Sequence, residues 1–158
     1  MKRICRHLRV TKDNGLVFNP STKLVVDCYA DEDFAGMWGH GNNQETICAR
    51  SRTGFVVTFS NCPLLWVSKL QTDIALSTLH FEYVALSNSV IALLTLKSLT
   101  NEVIGKLGID SEKLKFVSRS TIYEENNGTI FVAISPRMTP TSKQISVKYH
   151  WFRQHVGN

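Results

Sequence analysis

VVDCYADEDFAG, residues 25–36, runs from small and apolar residues straight into Asp31, Glu32 and Asp33. The first half reads as a strand: Leu24 to Ala30 is rich in Val, Cys and Tyr and flanked by turn residues. The second half needs a physical reason. Like charges about 5 Å apart repel by about 3 kcal/mol at an effective dielectric near 20. Either water or a cation must offset that.

Working outward, Leu16–Phe18 reads as a short extended piece, and residues 2–9 as the tail of a helix with Ile4, Cys5 and Leu8 on one face. Downstream, GMWGHGNNQETICARSRTG, residues 36–54, reads as a long Gly- and Asn-rich loop. No GK[ST] follows it and no helix opens after it, which excludes a phosphate-binding loop. Phe55–Ser60 and Leu64–Ser68 read as two strands joined by a turn at Asn61-Cys62-Pro63. Ser77 is a candidate N-cap. Apolar residues then recur at helical spacing through Leu79, Tyr83, Leu86, Val90, Leu93 and Leu94 toward Val103, with a stop near Gly105 or Gly108. Lys115–Tyr123 alternates as a fourth strand and ends in Glu124 and Glu125. A second helix is expected from Asn126 or Asn127 to Ile134, and a third from Thr141 or Ser142 to about His155.

Three strands, a long helix and a returning strand imply an antiparallel meander with a parallel fourth strand beside it. The fold class is α/β, a mixed sheet flanked by helices, with predicted strand order 3-2-1-4. The acids then fall at the ends of strands 1 and 4, and Glu82 sits early on the core helix. Carboxylates from separate elements can serve Mg²⁺, which prefers oxygen ligands; paired ions can activate water for phosphodiester cleavage. Solvated acids at strand ends are the competing explanation. Trp66 and Trp151 are expected as core or helix-packing residues rather than base-stacking platforms.

The 158 residues fit one domain, and 43% hydrophobic with 20% charged residues is ordinary for a globular chain. No apolar run reaches the roughly 20 residues of a membrane span. The basic start MKRICRHLRV leads into no apolar h-region, so secretion is not expected. Cys5, Cys28, Cys48 and Cys62 form no CxxC pair, which suits a reducing intracellular compartment. A net charge of +5 is compatible with a polyanionic partner and equally with a solvated basic surface.

Several stretches carry a resemblance. YADEDFAG resembles SDADWAG, and RSRTGFVVTFSNCPLLWVSKLQTDIALS resembles R.STSG…W.SK.Q..VALS. FEYVAL resembles AEYIAL, YEENNGTI resembles YEDNQGAI, and SKQISVKYHWFR resembles TKHIDVRYHFIR. These motifs, in this order, resemble the ribonuclease H domain of copia-type retrotransposon polyproteins. HLRVTKDNGLVF looks like the segment joining that domain to the reverse transcriptase.

The resemblance implies a connection segment at 1–23 and a ribonuclease H-like domain at 24–158 whose last strand is missing. It implies Mg²⁺- or Mn²⁺-dependent cleavage of RNA in RNA–DNA hybrids, with Asp31, Glu82 and Glu125 as catalytic and metal-binding residues. Glu125 stands where the family has Asp. The extra methylene moves the carboxylate by roughly 1 Å, a displacement that can cost about a hundredfold in rate. The family's fourth carboxylate belongs to a later segment that this sequence does not reach, so little or no activity is expected. Arg50, Arg52, Lys69, Lys143 and Lys148 are candidate contacts to a hybrid backbone, with the reverse transcriptase portion as a further partner. The alternative is a non-catalytic nucleic-acid-binding or protein-interaction module derived from a retroelement. A missing edge strand would leave a flank open to self-association.

Overall fold

The computed structural model describes residues 2–33, 50–72, 77–108, 110, 119–135, 137, 143, 145 and 147–156. Its sheet comprises β1 (Val26–Asp33), β2 (Arg52–Phe59), β3 (Cys62–Leu70) and β4 (Ile122–Tyr123). The order is β3-β2-β1-β4, with β1–β2 and β2–β3 antiparallel and β1–β4 parallel. This is the predicted mixed sheet and the predicted order. The helices are α1 (Lys2–Thr11), α2 (Thr78–Lys106) and α3 (Asn127–Ile134). Leu16–Phe18 forms no strand and is exposed, and the predicted loop at 36–54 lies mostly outside the described residues.

Period-2 alternation shapes the sheet. Val26, Cys28 and Ala30 of β1 are buried, as are Thr53, Phe55 and Val57 of β2, and the residues between them are not. The β2–β3 turn is Ser60-Asn61 rather than Asn61-Cys62-Pro63. Ser60 (φ 52°) and Asn61 (φ 68°) both take the left-handed conformation. A two-residue turn with positive φ at both positions matches the twist of the strands it joins. Cys62 and Pro63 therefore belong to β3, and the register shifts between Val57 and Thr58.

The predicted caps hold α2 in place. The Ser77 side chain accepts a hydrogen bond from the His80 backbone N–H at 3.3 Å. At the other end Gly108 adopts φ +62° and its N–H donates to the Gly105 carbonyl. One side of α2 meets the sheet, where Leu93 joins Val26, Cys28, Phe55 and Val57. Another side meets α3 and the C-terminal segment, where Tyr83, Leu86 and Val90 join Val132, Ala133, Ile145, Tyr149 and Phe152. Ile122 of β4 packs against both clusters. Val103, expected on the apolar face, is 46% exposed. By length and composition α2 would also suit a membrane span, but half of that stretch is buried inside the domain.

The helix α3 starts where expected, and Asn126 caps it, accepting the Thr129 N–H at 3.0 Å. The third predicted helix is different: its described residues form 3₁₀ turns at Val147–Tyr149 and Trp151–His155. Val, Tyr, Trp, Phe and His are mediocre α-helix formers, and short 3₁₀ turns suffice to put Tyr149 and Phe152 into the core. β4 is shorter than the predicted 115–123, of which 115–118 lie outside the described residues. Its start is set by Asp27, whose carboxylate accepts the Thr121 N–H at 2.8 Å. Trp66 is 63% exposed rather than in the core. It pairs with Val56, whose alternation puts both on the face away from α2.

Candidate functional site

Carboxylates from three elements gather at one end of the sheet. β1 continues through the acids instead of stopping before them: Asp31, Glu32 and Asp33 pair with Gly54, Thr53 and Arg52. Because they lie within a strand, alternation separates them. Glu32 shares the parity of Cys28 and Ala30 and turns toward α2, and its Oε2 is buried without a hydrogen-bond partner. Asp31 and Asp33 share the parity of Tyr29 and are exposed.

The same division holds beside β4. Its parallel register matches Cys28 with Ile122 and Tyr29 with Tyr123. The two tyrosine rings stack on the outer face, with centroids 4.5 Å apart and planes within 9°. Glu124 follows Ile122 inward and is half-buried; Glu125 is exposed. Glu124 Oε1 accepts the Asn126 N–H at 3.1 Å, at the mouth of the α3 cap. Glu82, in the second turn of α2, is half-buried and accepts a hydrogen bond from the Thr129 hydroxyl at 3.2 Å.

The electrostatics identify the inner group. Burial first, and then the negative charges of Glu82, Asp31, Asp33 and Glu124, together push the Glu32 carboxyl up to about 7. Burial likewise raises Glu124, with Glu82 and Asp31 adding to it and backbone N–H groups opposing it. Glu32, Glu82 and Glu124 thus feel one another on the helix side. Asp31 and Glu125 line a shallow cleft with Tyr29 and Tyr123, and Glu124 lines it too, so the two groups of acids meet there.

Of the sequence-predicted ligands, then, Asp31 and Glu125 share a cleft, and Glu82 acts on Glu32 and Glu124, the second of which lines that cleft as well. Among the described residues no three His, Cys, Asp or Glu side chains are grouped closely enough to hold a metal ion. Glu32 and Glu124 are read from sequence as members of the two acidic clusters but not as ligands. The signal was available in the spacing, since Glu32 lies two and four residues beyond Ala30 and Cys28.

The candidate nucleic-acid contacts divide as well. Arg52 and Lys69 come from the same end of the sheet as the acids, where Arg52 pairs with Asp33 and Leu70, and Lys69 with Thr53. Arg52 Nη1 donates to the Ser68 carbonyl at 3.3 Å. Arg50 precedes β2 and is half-buried, with its Nε lacking a hydrogen-bond partner. Lys143 and Lys148 are exposed on the C-terminal segment, with the Lys148 ammonium 4.6 Å from the Tyr149 ring centre.

No family model matches the chain, and no solved structure matches it significantly. Among curated proteins it is similar to the retrovirus-related Pol polyprotein from transposon TNT 1-94 of Nicotiana tabacum. The two are 30% identical over 158 residues, which is 100% of this chain and 10% of that protein. It is also similar to the retrovirus-related Pol polyproteins from transposons RE2 and RE1 of Arabidopsis thaliana. These are 28% and 27% identical over 156 residues, 99% of this chain and 10% of each. The chain spans about a tenth of the length of these curated relatives. From end to end, the chain is similar to one segment of the retrovirus-related Pol polyproteins of plant transposons.

Proposed function

We propose that this chain is the ribonuclease H-like segment of a retrotransposon Pol polyprotein. Its parent activity is metal-dependent cleavage of the RNA strand in RNA–DNA hybrids, and the chain by itself is inactive or very weak. The observation that carries this reading is the convergence of acids from β1, α2 and the β4–α3 junction at one end of a β3-β2-β1-β4 sheet. Similarity along the whole chain to transposon Pol polyproteins supports it. Weakness follows from Glu125 standing where a shorter carboxylate is expected. Asp31, Glu82 and Glu125 remain the residues proposed to matter, with Mg²⁺ or Mn²⁺ as the ion. The remaining Pol segments, the reverse transcriptase portion among them, are the proposed partners, in an intracellular setting.

The test is cleavage of a hybrid labelled on its RNA strand, in Mg²⁺ and in Mn²⁺, beside Asp31→Asn. The expected result is a slow, metal-dependent signal that Asp31→Asn abolishes, or no signal at all in either protein. Rapid turnover that survives Asp31→Asn would contradict the assignment.

A second reading has its own support. With no three-carboxylate group among the described residues, and with Arg52 and Lys69 beside the acids, the chain can serve as a non-catalytic nucleic-acid-binding or protein-interaction module. Phosphate contacts make affinity fall steeply with salt. Filter binding to hybrid duplex across a salt series therefore checks it: a steep slope that flattens in Lys69→Ala supports it, and no retention at low salt removes the nucleic-acid form.

A further inference from the structure

Among the described residues two apolar surfaces are exposed, and their charges are opposite. The first is the sheet face away from α2. A cross-strand row runs over all four strands, from Trp66 through Val56 and Tyr29 to Tyr123. Trp66, Tyr29 and Tyr123 are 63%, 47% and 46% exposed, and Leu64 beside them is 50% exposed. Such a patch exceeds the scattered apolar exposure of an ordinary surface. Its rim is acidic: Asp31, Asp33 and Glu125 are all exposed there. Among the described strand residues Arg52 is the cation on this face, and Ser68 holds it.

The second surface is α1. None of its ten residues is buried. Ile4 and Leu8, one helical turn apart, are 65% and 60% exposed. Around that stripe stand Lys2, Arg3, Arg6 and Arg9, with no acid anywhere in the helix. A ten-residue helix is about 15 Å long, and four strands span about 14 Å. The helix therefore matches the width of the row, its basic flanks match the acidic rim, and within one chain neither covers the other.

We infer that the bare sheet face receives α1 from a second copy of this chain. Each copy carries one helix and one face, so the exchange closes as a two-fold dimer with two equivalent helix-on-sheet contacts. Exposed residues 12–20, which join α1 to the point where the Ser21 N–H meets the Ser60 carbonyl, give the helix its reach.

The experiment is sedimentation equilibrium of the full chain across a concentration series, with Leu8→Asp and Trp66→Asp examined singly and mixed. Both positions are exposed, and circular dichroism verifies that each variant is folded. The expected result is a monomer–dimer equilibrium that each substitution weakens by at least about tenfold, the loss typical of an interface anchor. Mixing the two variants should restore association, because one intact helix and one intact face remain between them. A monomer at every concentration overturns the inference. So does a dimer indifferent to both substitutions, or variants that fail to rescue each other. Trp66 fluorescence that responds to Leu8→Asp equally at all concentrations would mean that α1 docks on its own chain, and would overturn it too.

Discussion

On one face of the sheet Cys28, Phe55 and Val57 lie under α2 and are at most 8% exposed; one residue along β1 and β2, Tyr29 and Val56 look away from α2, as does Trp66 of β3, which is 63% exposed. Residues of similar apolarity have opposite fates because a strand turns successive side chains to opposite sides and only one side has a helix over it. The acids at the end of β1 obey the same rule. Glu32 is drawn toward α2 with Cys28 and Ala30, where burial raises its pKa, and Asp31 stays in water with Tyr29. The contrast between the covered and the bare face therefore governs both the stability of the domain and the sorting of its carboxylates.

The sharpest way to break that contrast is to remove one large side chain from each face. Phe81, on α2, is fully buried. Phe81→Ala should cost about 3–5 kcal/mol through lost burial and the cavity left behind. Trp66→Ala, studied at concentrations where the chain is monomeric, should cost less than about 1 kcal/mol. Urea unfolding measures both, and equal losses would erase the distinction.

Next in size is the polar tie between β3 and α2. The Gln71 amide donates to the Phe81 carbonyl at 2.9 Å and to the Thr53 hydroxyl at 3.0 Å, all in buried surroundings. Gln71→Ala strands both acceptors and should cost about 1–3 kcal/mol. A neutral result in the same unfolding assay would mean that this tie does not hold the covered face.

A stabilising change is expected at the hairpin. Ser60 takes φ 52° and its buried hydroxyl lacks a hydrogen-bond partner. Its backbone N–H and carbonyl are used by Val25 and Ser21 and survive substitution. Ser60→Gly removes the strained Cβ and the orphaned hydroxyl together, and should gain about 1 kcal/mol. A lower melting temperature would contradict this account of the turn.

Smaller again is a pH-dependent effect. The folded Glu32 carboxyl titrates near 7, above its unfolded value. The folded state therefore binds more protons than the unfolded state between the ordinary glutamate range and about 7, and stability falls as pH rises through that window. Glu32→Gln should raise the melting temperature above pH 7 and have little effect near pH 4. An effect of the same size at both pH values would point to shape rather than charge.

Much of this was legible before the structure. The cap at Ser77, the start of α3 near Asn126 or Asn127 and the stop near Gly105 or Gly108 are local signals, set by residues that satisfy helix ends or tolerate positive φ. The strand order followed from the succession of elements. What escaped depends on which side a neighbour occupies. Trp66 reads as core until α2 is known to lie on the opposite face. Asp31 and Glu32 are equivalent as letters until β1 is seen to run on through them. The C-terminal segment, with Ile145, Tyr149 and Phe152 buried, has helical apolar spacing but residues too β-branched and aromatic to keep its described part α-helical. The β2–β3 turn was misplaced by one residue because Pro63 is the stronger turn signal, and Ser60 is an unusual occupant of a left-handed position.

The central claim is that β1 turns Glu32 inward toward Glu82 and Glu124 and leaves Asp31 on the outer face. The direct measurement is the titration of the Glu32 side-chain carboxyl, followed by carbon-13 NMR with Glu32→Gln to assign its signal. A midpoint near 7 is the result that this arrangement requires. A midpoint in the ordinary glutamate range would place Glu32 in water and reverse the two faces.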